Sequence, residues 1–322
     1  MAKPIGEQVV VITGASSGIG RETALRLASK GARVVVSARR EEHLDDLMNE
    51  ITSAGGQAVS VPADVSLYED VRNLASAAVD QYGRIDTWVN NAGQYLVGEF
   101  EKTNIEEARR LFDTNFWGEV HGTKAALEVM RRQGEGTIIN VTSVAGERAL
   151  PLTSFYSASK AALNGLFESI QSEITDENIK ISIVMPASVD TPLFAQARTK
   201  EGVQPQPYPP VYPPSEVASA IEKMAENPRS RIFAGPAGWF FAAGNAFVPG
   251  ALNRFLRATK SLVLSDRRPI DAKGNLYEPM PEVPPVETGG WRGKRYKAAE
   301  FAARAAALLG AFFLVRRLVG RR

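Results

Sequence analysis

The stretch that decides the fold of this chain is Val9-Val10-Val11-Ile12-Thr13-Gly14-Ala15-Ser16-Ser17-Gly18-Ile19-Gly20. Its β-branched run predicts a buried strand, and a helical pattern begins at about Ile19. Glycines between a strand and a helix permit a tight turn, and they let a pyrophosphate approach the backbone at the positive end of the helix dipole. Such glycines are a weak signal alone, and the strand before them and the helix after them give them weight.

Strands and helical segments alternate along the chain as far as about residue 186. Continuous β-branched runs suit strands buried on both faces, and helical spacers suit right-handed crossovers between parallel strands. We therefore predict an α/β fold: a doubly wound, Rossmann-like parallel sheet with a helical or irregular C-terminal extension. The predicted strands are 9–12, 34–36, 58–61, 85–89, 137–141, 179–185 and 231–234, and the predicted helices are 19–30, 41–53, 67–82, 104–133, 155–176 and 215–226.

The composition excludes several kinds of site. The 322 residues are 44% hydrophobic and 23% charged, which is ordinary for a globular protein. There is no cysteine and only two histidines, so we expect neither a disulfide nor a metal site. The segment Met1-Ala2-Lys3-Pro4 leads straight into the first strand, and we expect a cytoplasmic protein without a secretory leader.

A second motif, Tyr156-Ser157-Ala158-Ser159-Lys160, places a phenol and an ammonium four residues apart on one face of a predicted helix. A phenol with a pKa of ~10 is a poor base at neutral pH, but an adjacent ammonium favours the phenolate. Ser143, at the end of a predicted strand, is placed to hold a substrate oxygen. The pair alone is usually a surface contact; it has meaning because the glycine turn and the serine precede it in order.

These motifs together resemble the short-chain dehydrogenase/reductase family, in its single-domain branch, over residues 6–235. The glycine turn has the form Thr-Gly-x-x-x-Gly-x-Gly, and Asn90-Asn91-Ala92-Gly93 matches the family's next motif. The family's catalytic tetrad is matched in order by Asn115, Ser143, Tyr156 and Lys160. The chain departs from the family at Pro186-Ala187, where Pro-Gly is usual, and this should alter the loop geometry slightly.

The resemblance implies a role for each tetrad residue. Tyr156 passes a proton to or from the substrate oxygen while hydride moves to or from the nicotinamide, and Lys160 lowers the tyrosine pKa and bonds the ribose. Ser143 polarises the carbonyl, and Asn115 holds a water of the proton relay. The implied cofactor-binding residues are Thr13, Gly14, Ser16, Ser17, Gly18, Ile19, Gly20, Arg39, Asp64, Val65, Asn91, Ala92, Gly93, Tyr156, Lys160, Pro186, Val189 and Thr191.

The choice of nicotinamide depends on the residues that end the second strand. An NAD enzyme places an acid there for the ribose 2′-hydroxyl, whereas an arginine accommodates the 2′-phosphate of NADP. Here the sequence is Ser37-Ala38-Arg39-Arg40, and the next acids, Glu41 and Glu42, fit the first turn of the following helix. We predict NADP (NADPH) in preference to NAD, with Arg39 as the main phosphate contact. The alternative is that Arg39 is a solvated surface charge.

The chain continues beyond the family core. From Ile232 to Asn253 it has no charged residue, but glycines and prolines interrupt this run, so burial over the active-site mouth is favoured over a membrane span. Residues 278–290 are rich in proline and glycine and predict a linker. We divide the chain into a catalytic domain (1–235), an apolar substrate lobe with linker (236–290) and a basic amphipathic helix (291–322).

The last segment, residues 291–322, is strongly basic. It carries nine Lys/Arg and one acid, and the acids outnumber the bases in the rest of the chain, so nucleic-acid binding by the body is not expected. The apolar residues Phe301, Ala305, Leu308, Phe312, Val315 and Val319 share one helical face. The uncharged run 305–315 is short for a span, and a helix in the headgroup plane of a membrane fits better. Packing on the body or on a second subunit is the alternative.

The predicted function is NADP(H)-dependent interconversion of a carbonyl and a secondary alcohol on a lipophilic small molecule. One alternative is a 3-oxoacyl carrier-protein reductase, against which the long extension argues. The other is a non-catalytic NADP-binding scaffold or sensor, which usually lacks the tyrosine or lysine. By the resemblance we expect a homodimer or homotetramer, formed through the helices near 104–133 and 155–176.

The basic segment gives a first prediction. Truncation at Gly290 should abolish binding to anionic vesicles, because it removes both the apolar face and the cations, and should leave reduction of a small soluble carbonyl intact. Salt should weaken binding of the full chain by screening the arginines. Vesicle sedimentation measures the effect. A full-length protein that stays in the supernatant at low salt would contradict it, and a change of oligomeric state in light scattering would point to the packing alternative.

Overall fold

The computed structural model describes residues 3–175 and 178–292 of the chain. At its centre is a seven-stranded parallel sheet, built from β1 (Val9–Thr13), β2 (Arg33–Ser37), β3 (Gln57–Ser60), β4 (Thr87–Asn90), β5 (Gly136–Val141), β6 (Ile179–Pro186) and β7 (Arg231–Ala234). The strands lie side by side in the order β3-β2-β1-β4-β5-β6-β7. Every one of them lies within two residues of its predicted bounds, and the predicted doubly wound α/β fold is confirmed.

Helices cover both faces of this sheet. They are α1 (Gly18–Ala28), α2 (Glu41–Ser53), α3 (Tyr68–Tyr82), α4 (Ile105–Phe112), α5 (Gly118–Gln133), α6 (Ser154–Glu173), α7 (Pro214–Glu226), α8 (Ala237–Phe247) and α9 (Pro249–Ala258). Side chains alternate along β1, so Val10 and Ile12 pack with α1, α2 and α7, whereas Val9 and Val11 pack with α3, α5 and α6. Both faces are therefore buried, which explains the continuous β-branched runs.

The predicted helices lie within three residues of their predicted bounds, with one exception. The predicted helix 104–133 is interrupted by a π-helical segment, Asp113–Trp117, between α4 and α5. Single π-helical turns inside helices often mark functional positions, and this one contains Asn115. Helix α7 begins at Pro214, one residue before the predicted start. Proline suits that position because its fixed φ is helical and its missing N–H would be unpaired there.

The C-terminal extension packs on the catalytic body. Helices α8 and α9 follow β7 directly, and residues 275–291, here named the strap, then run back across the loops that end β1 and β2. The strap includes the predicted linker. The domain boundaries near residues 235 and 290 stay predictions.

The predicted basic amphipathic helix, 291–322, lies outside the described residues except for Trp291 and Arg292. Within residues 3–175 and 178–292, no helix is long and apolar enough to cross a membrane. Trp291 is buried, so a truncation that tests the tail should retain it. In the vesicle experiment the chain should therefore be truncated after Arg292 and not at Gly290.

Candidate active site

The backbone of the glycine turn between β1 and α1 makes close contacts within the turn and with the loop after β4. Gly14 has a φ of +68°, and a Cβ there would lie 2.7 Å from Ala92 Cα. A Cβ on Gly20 would lie 2.4 Å from the carbonyl oxygen of Gly14. A side chain at either position would collide with backbone, and at Gly14 the left-handed conformation adds strain. The glycines therefore bring the start of α1, with its positive dipole end, to the edge of a cleft.

Hydrogen bonds join this turn to the Asn-Asn-Ala-Gly motif. The Thr13 hydroxyl oxygen accepts from the backbone N–H of Asn91 at 3.0 Å and of Ala92 at 3.1 Å. The Asn91 side chain donates back to the carbonyl oxygen of Thr13 at 2.9 Å. Thr13 and Gly20 thus lie behind the cleft wall. The other predicted cofactor-binding residues line the cleft itself: Gly14, Ser16, Ser17, Gly18, Ile19, Arg39, Asp64, Val65, Asn91, Ala92, Gly93, Tyr156, Lys160, Pro186, Val189 and Thr191.

Three of the four predicted tetrad residues line the same cleft. Tyr156 and Lys160 are one helical turn apart near the start of α6, and Ser143 follows the end of β5. The Ser143 hydroxyl oxygen accepts from the backbone N–H of Ala145 at 3.0 Å, which fixes its position. The structure therefore brings together a phenol, an ammonium and a hydroxyl that are up to 17 residues apart in the sequence.

Asn115, the fourth predicted tetrad residue, is fully buried behind the cleft wall. Its Oδ1 accepts from the backbone N–H of Gln94 at 2.7 Å, and its Nδ2 donates to the Gln94 carbonyl oxygen at 3.0 Å. Nδ2 also lies 3.4 Å from the Ser159 hydroxyl on α6. Asn115 therefore fixes the loop after Gly93 to α6. Its implied role in holding a water stays a prediction.

Lys160 makes a contact that the sequence analysis missed. Its Nζ lies 2.9 Å from Oε1 of Glu119 and donates to the carbonyl oxygen of Val141 at 3.0 Å. Both charged side chains are almost completely buried. A sequence signal existed, because Glu119 recurs at helical spacing with the small residues Gly122, Thr123 and Ala126, and such a pattern marks a buried face.

Arg39 lies where the sequence predicts a phosphate contact, at the end of β2. Its guanidinium donates to the carbonyl oxygens of Asn275 at 2.7 Å and Tyr277 at 2.8 Å, both in the strap. Burial lowers the pKa of Arg39, and the nearby Asp64 carboxylate opposes that shift. The guanidinium is thus held in place at the rim of the cleft by neutral acceptors.

Arg40 is a second cation at this rim that the sequence analysis left without a role. It donates to the strap carbonyl oxygens of Met280 at 3.1 Å and Val283 at 3.0 Å, and to the Ser16 hydroxyl in the glycine turn at 3.1 Å. Burial, with repulsion from Arg39 as the second cause, lowers the pKa of Arg40 to about 10, so it is charged at neutral pH. Two adjacent cations therefore define one end of the cleft.

Asp64, one of the predicted cofactor-binding residues, lies near these cations. Burial acts to raise its pKa, but hydrogen bonds from Ser66 and Arg110 more than offset it, and the pKa of Asp64 is lowered. The Arg110 guanidinium lies 2.8 Å from the carboxylate and also donates to the carbonyl oxygen of Leu276 in the strap. Asp64 is therefore an ionised and rigidly held side chain of the cleft wall.

The strap also covers the start of α1. The backbone N–H of Gly18 donates to the carbonyl oxygen of Val286 at 2.9 Å, and Arg21 on α1 forms an ion pair with Glu287. Asn275, Pro279 and Met280 line the cleft directly. Sequence reasoning could not find these contacts, because backbone carbonyl oxygens accept hydrogen bonds whatever the residue.

The end of the strap is anchored at Asp190, in the loop after β6. Oδ1 of Asp190 accepts from the backbone N–H groups of Gly289 at 3.0 Å and Trp291 at 2.9 Å. The Trp291 ring is buried and packs edge-on against Phe194, with the Arg267 guanidinium 4.7 Å from its centroid. The strap is thus held by charge-assisted hydrogen bonds and by aromatic packing.

The cleft has an apolar end beyond Tyr156. The ring of Tyr95 packs edge-on against Tyr156 at 4.7 Å, and Phe194 packs against Tyr95 at 5.4 Å. Further aromatic and aliphatic residues complete this end: Leu150, Leu193 and Tyr208.

The predicted substrate lobe lies behind this lining. Phe241 on α8 packs against Tyr208 at 6.3 Å and is buried in one cluster with Leu252 of α9. Trp239 and Phe247 face outward instead, each 68% exposed.

The comparisons with known proteins agree with this geometry. The sequence model of the short chain dehydrogenase family matches residues 8–202. The chain belongs to this family, and it is an NAD(P)-dependent dehydrogenase/reductase. The seven-stranded parallel sheet is the fold of its structural neighbours.

Individual relatives cover different parts of the chain. An uncharacterised oxidoreductase YxnA of Bacillus subtilis (strain 168) is 41% identical over 258 residues, which are 79% of this chain and 72% of that protein. A 3-oxoacyl-[acyl-carrier-protein] reductase of Synechocystis is 34% identical over 71% of this chain and 93% of its own length. The structure of a variant of actinorhodin polyketide ketoreductase with NADPH matches with a TM-score of 0.64 and 30% identity, over 72% of this chain and 97% of its own.

The anchored strap predicts a slow step in cofactor exchange. Trp291→Ala removes the buried ring that seats the strap, and we expect roughly tenfold faster release of bound cofactor, which corresponds to a loss of about 1.4 kcal/mol. Stopped-flow fluorescence of NADPH release measures this rate. Tyr277→Ala is the matched control, because that strap side chain is exposed and only its carbonyl bonds Arg39. Equal release rates in both variants and the wild type would show that the strap does not gate exchange.

Proposed function

We propose that this chain is an NADP(H)-dependent oxidoreductase that interconverts a carbonyl and a secondary alcohol on a lipophilic substrate, with Tyr156 as general acid/base. One observation carries the proposal. A single cleft runs from the glycine turn, past Ser143, Tyr156 and Lys160, into an apolar end. A dinucleotide and a second, apolar reactant thus have adjoining places, with a proton-transfer group between them.

The residues of the cleft suit a nicotinamide dinucleotide. The glycine turn leaves no room for a Cβ at Gly14, and a Cβ at Gly18 would lie 3.2 Å from Thr191 Cβ, so the backbone itself forms the cradle. A cradle of backbone at a helix N-terminus favours a pyrophosphate. When bound, the cofactor supplies or accepts the hydride.

The chain's own residues handle the proton and the substrate oxygen. Because the Ser143 oxygen accepts from Ala145, its own O–H is free to donate to a substrate carbonyl. Two of the three N–H groups of Lys160 are engaged by Glu119 and Val141, which leaves one for the cleft. In reduction Tyr156 donates its proton to the substrate oxygen as hydride arrives at the carbon; in oxidation it takes that proton back.

The preference for NADP over NAD rests on the two cations at the end of β2. Arg39 and Arg40 donate to carbonyl oxygens of the strap, and these neutral acceptors do not cancel the positive charges. Two guanidinium groups fixed at one rim favour a dianionic 2′-phosphate over a hydroxyl.

Two alternative functions are less well supported: a 3-oxoacyl carrier-protein reductase and a non-catalytic scaffold. A 3-oxoacyl carrier-protein reductase is favoured by the relative in Synechocystis, but that protein aligns over 93% of its length and leaves more than a quarter of this chain unmatched. In this chain the extension supplies strap and lobe contacts at the cleft, which favours a more enclosed, apolar substrate site. A non-catalytic scaffold is disfavoured because Ser143, Tyr156 and Lys160 all line the cleft.

The assembly and location of the protein stay part of this proposal. Ile105 on α4 and Trp117 just before α5 are exposed apolar side chains on the helices expected to form a subunit interface, which supports a homodimer or homotetramer. A cytoplasmic location, with peripheral membrane contact through the tail, remains our expectation from the sequence.

Tyr156→Phe tests the proposed acid/base. It removes the proton donor at the substrate oxygen and keeps the ring, so turnover should fall by about 10²–10⁴-fold while NADPH affinity changes little. Steady-state kinetics on a panel of ketones and aldehydes, followed by NADPH consumption, measures the loss. Tyr82→Phe is the control, since it removes a phenol hydroxyl at the end of α3, outside the cleft. Wild-type turnover in Tyr156→Phe would exclude the mechanism.

Arg39→Asp tests the cofactor preference. It removes one cation and adds a charge that repels the 2′-phosphate, so NADPH affinity should fall by roughly tenfold or more, whereas NADH should bind no worse. The variant also loses two contacts to the strap, and any effect of that loss cancels when the two cofactors are compared. The ratio of the two affinities, from fluorescence titration, therefore isolates the phosphate contact. Tighter binding of NADH than NADPH by the wild type would contradict the preference.

A further inference from the structure

Glu119 is a buried acid that the proposed mechanism does not use. It lies in the first turn of α5, and its side chain is 1% exposed. Its carboxyl group lies behind the catalytic cleft. Oε1 is 2.9 Å from Nζ of Lys160, while Oε2 has no hydrogen-bond partner among the described residues. An ionised oxygen without a partner in the interior is unfavourable and requires an explanation.

The other two buried glutamates among the described residues are treated differently. Glu222 pairs with both Arg26 and Lys30, and Glu107 pairs with Arg198 and Lys200. Burial acts to raise the pKa of each, but two cations more than compensate, and both pKa values are lowered. Those carboxylates are stable ion-pair centres that hold surface elements together.

Glu119 has one cation where the others have two. Burial raises the pKa of Glu119 to about 7, although Lys160 opposes the shift. A buried ion pair of this kind contributes little to stability compared with apolar side chains of the same volume. Glu119 lies next to the lysine that is proposed to act with Tyr156. Its position is therefore better explained by a role in the reaction than by a contribution to folding stability.

The groups that surround this pair are few. Helix α6 contributes Lys160 and, one turn earlier, Tyr156; β5 contributes the carbonyl oxygen of Val141. On α5 itself the next titratable side chain, His121, is engaged by the carbonyl oxygen of Val65 at 2.9 Å. Lys160 is the charged group that acts on the Glu119 carboxyl in the part of the chain that is described.

We propose that Glu119 is a positioning residue for the proposed reaction: it holds the Lys160 ammonium and offsets its charge, so that Tyr156 keeps its proton to higher pH. This inference rests on the proposed role of Tyr156. The sign follows from Coulomb's law, because a negative charge beside the ammonium disfavours a phenolate nearby. A tyrosine that stays protonated is competent as an acid, so the carboxylate extends carbonyl reduction to higher pH.

The pH dependence of kcat/KM tests this inference. Glu119→Gln keeps the size and the hydrogen-bonding oxygen and removes the charge. The limb of the profile at which reduction declines, and oxidation rises, should move to lower pH by roughly one unit, the low end of a neighbouring charge's effect. Below the Glu119 pKa the wild-type carboxyl is itself neutral, so the two profiles should converge in acid.

The controls separate this inference from the proposed function. Glu222→Gln removes a buried charge far from the cleft and should leave the limb unmoved, whatever it does to the melting temperature. Glu119→Met, of similar volume, repeats the comparison if Glu119→Gln does not fold. An active Glu119→Gln enzyme with an unmoved limb overturns the inference and leaves the Tyr156 mechanism standing, whereas full turnover in Tyr156→Phe overturns that mechanism itself. Failure of both Glu119 variants to fold would assign the residue a structural role and also overturn the inference.

Discussion

The site depends on one close approach of backbone to backbone, that of Gly14 to Ala92. In the strand order of this sheet β1 and β4 are neighbours from which the crossovers run in opposite directions, so a crevice opens where both strands end. The hydrogen bonds of Thr13 to Asn91 and Ala92 hold the two sides of that crevice at a fixed distance. The cleft, Ser143 and α6 are all positioned relative to this contact, and a Cβ on Gly14 would push its sides apart.

The family core accounts for the cleft, and the extension determines how enclosed it is. At the cations of the cleft rim the strap acts through its backbone: its carbonyl oxygens accept hydrogen bonds from Arg39, Arg40 and Arg110. These contacts orient the guanidinium groups, and such pre-orientation would lower the entropy lost if the proposed 2′-phosphate binds there. The contacts of Arg39 and Arg40 join the rim of the cleft to a segment that lies more than 200 residues later in the sequence.

The sheet, its helices and the order of motifs could be predicted from the sequence because each is encoded locally. β-Branched runs specify the strands, glycines specify the turn, and Tyr156 and Lys160 share a face through helical periodicity. The π-helical segment around Asn115 could not, because one widened turn shifts the apolar pattern by only a single position, which is hard to distinguish from the ordinary irregularity of such patterns. Residues 278–290 were predicted as a linker since proline and glycine disfavour regular structure. Most of their hydrogen bonds to the body use backbone atoms, which every residue type has, so the composition could not predict these contacts.

The aromatic packing connects the two ends of the site. Trp291 at the end of the strap packs on Phe194, Phe194 on Tyr95, and Tyr95 on Tyr156, in a continuous row with centroid distances of 6.1, 5.4 and 4.7 Å. Rings packed edge-on have few alternative arrangements that keep the interior filled. Trp291, which seats the strap, is therefore connected through two rings to Tyr156, the proposed acid/base. A substrate of the proposed kind, lying against Tyr95 and Phe194, would rest on a surface that Trp291 helps to support.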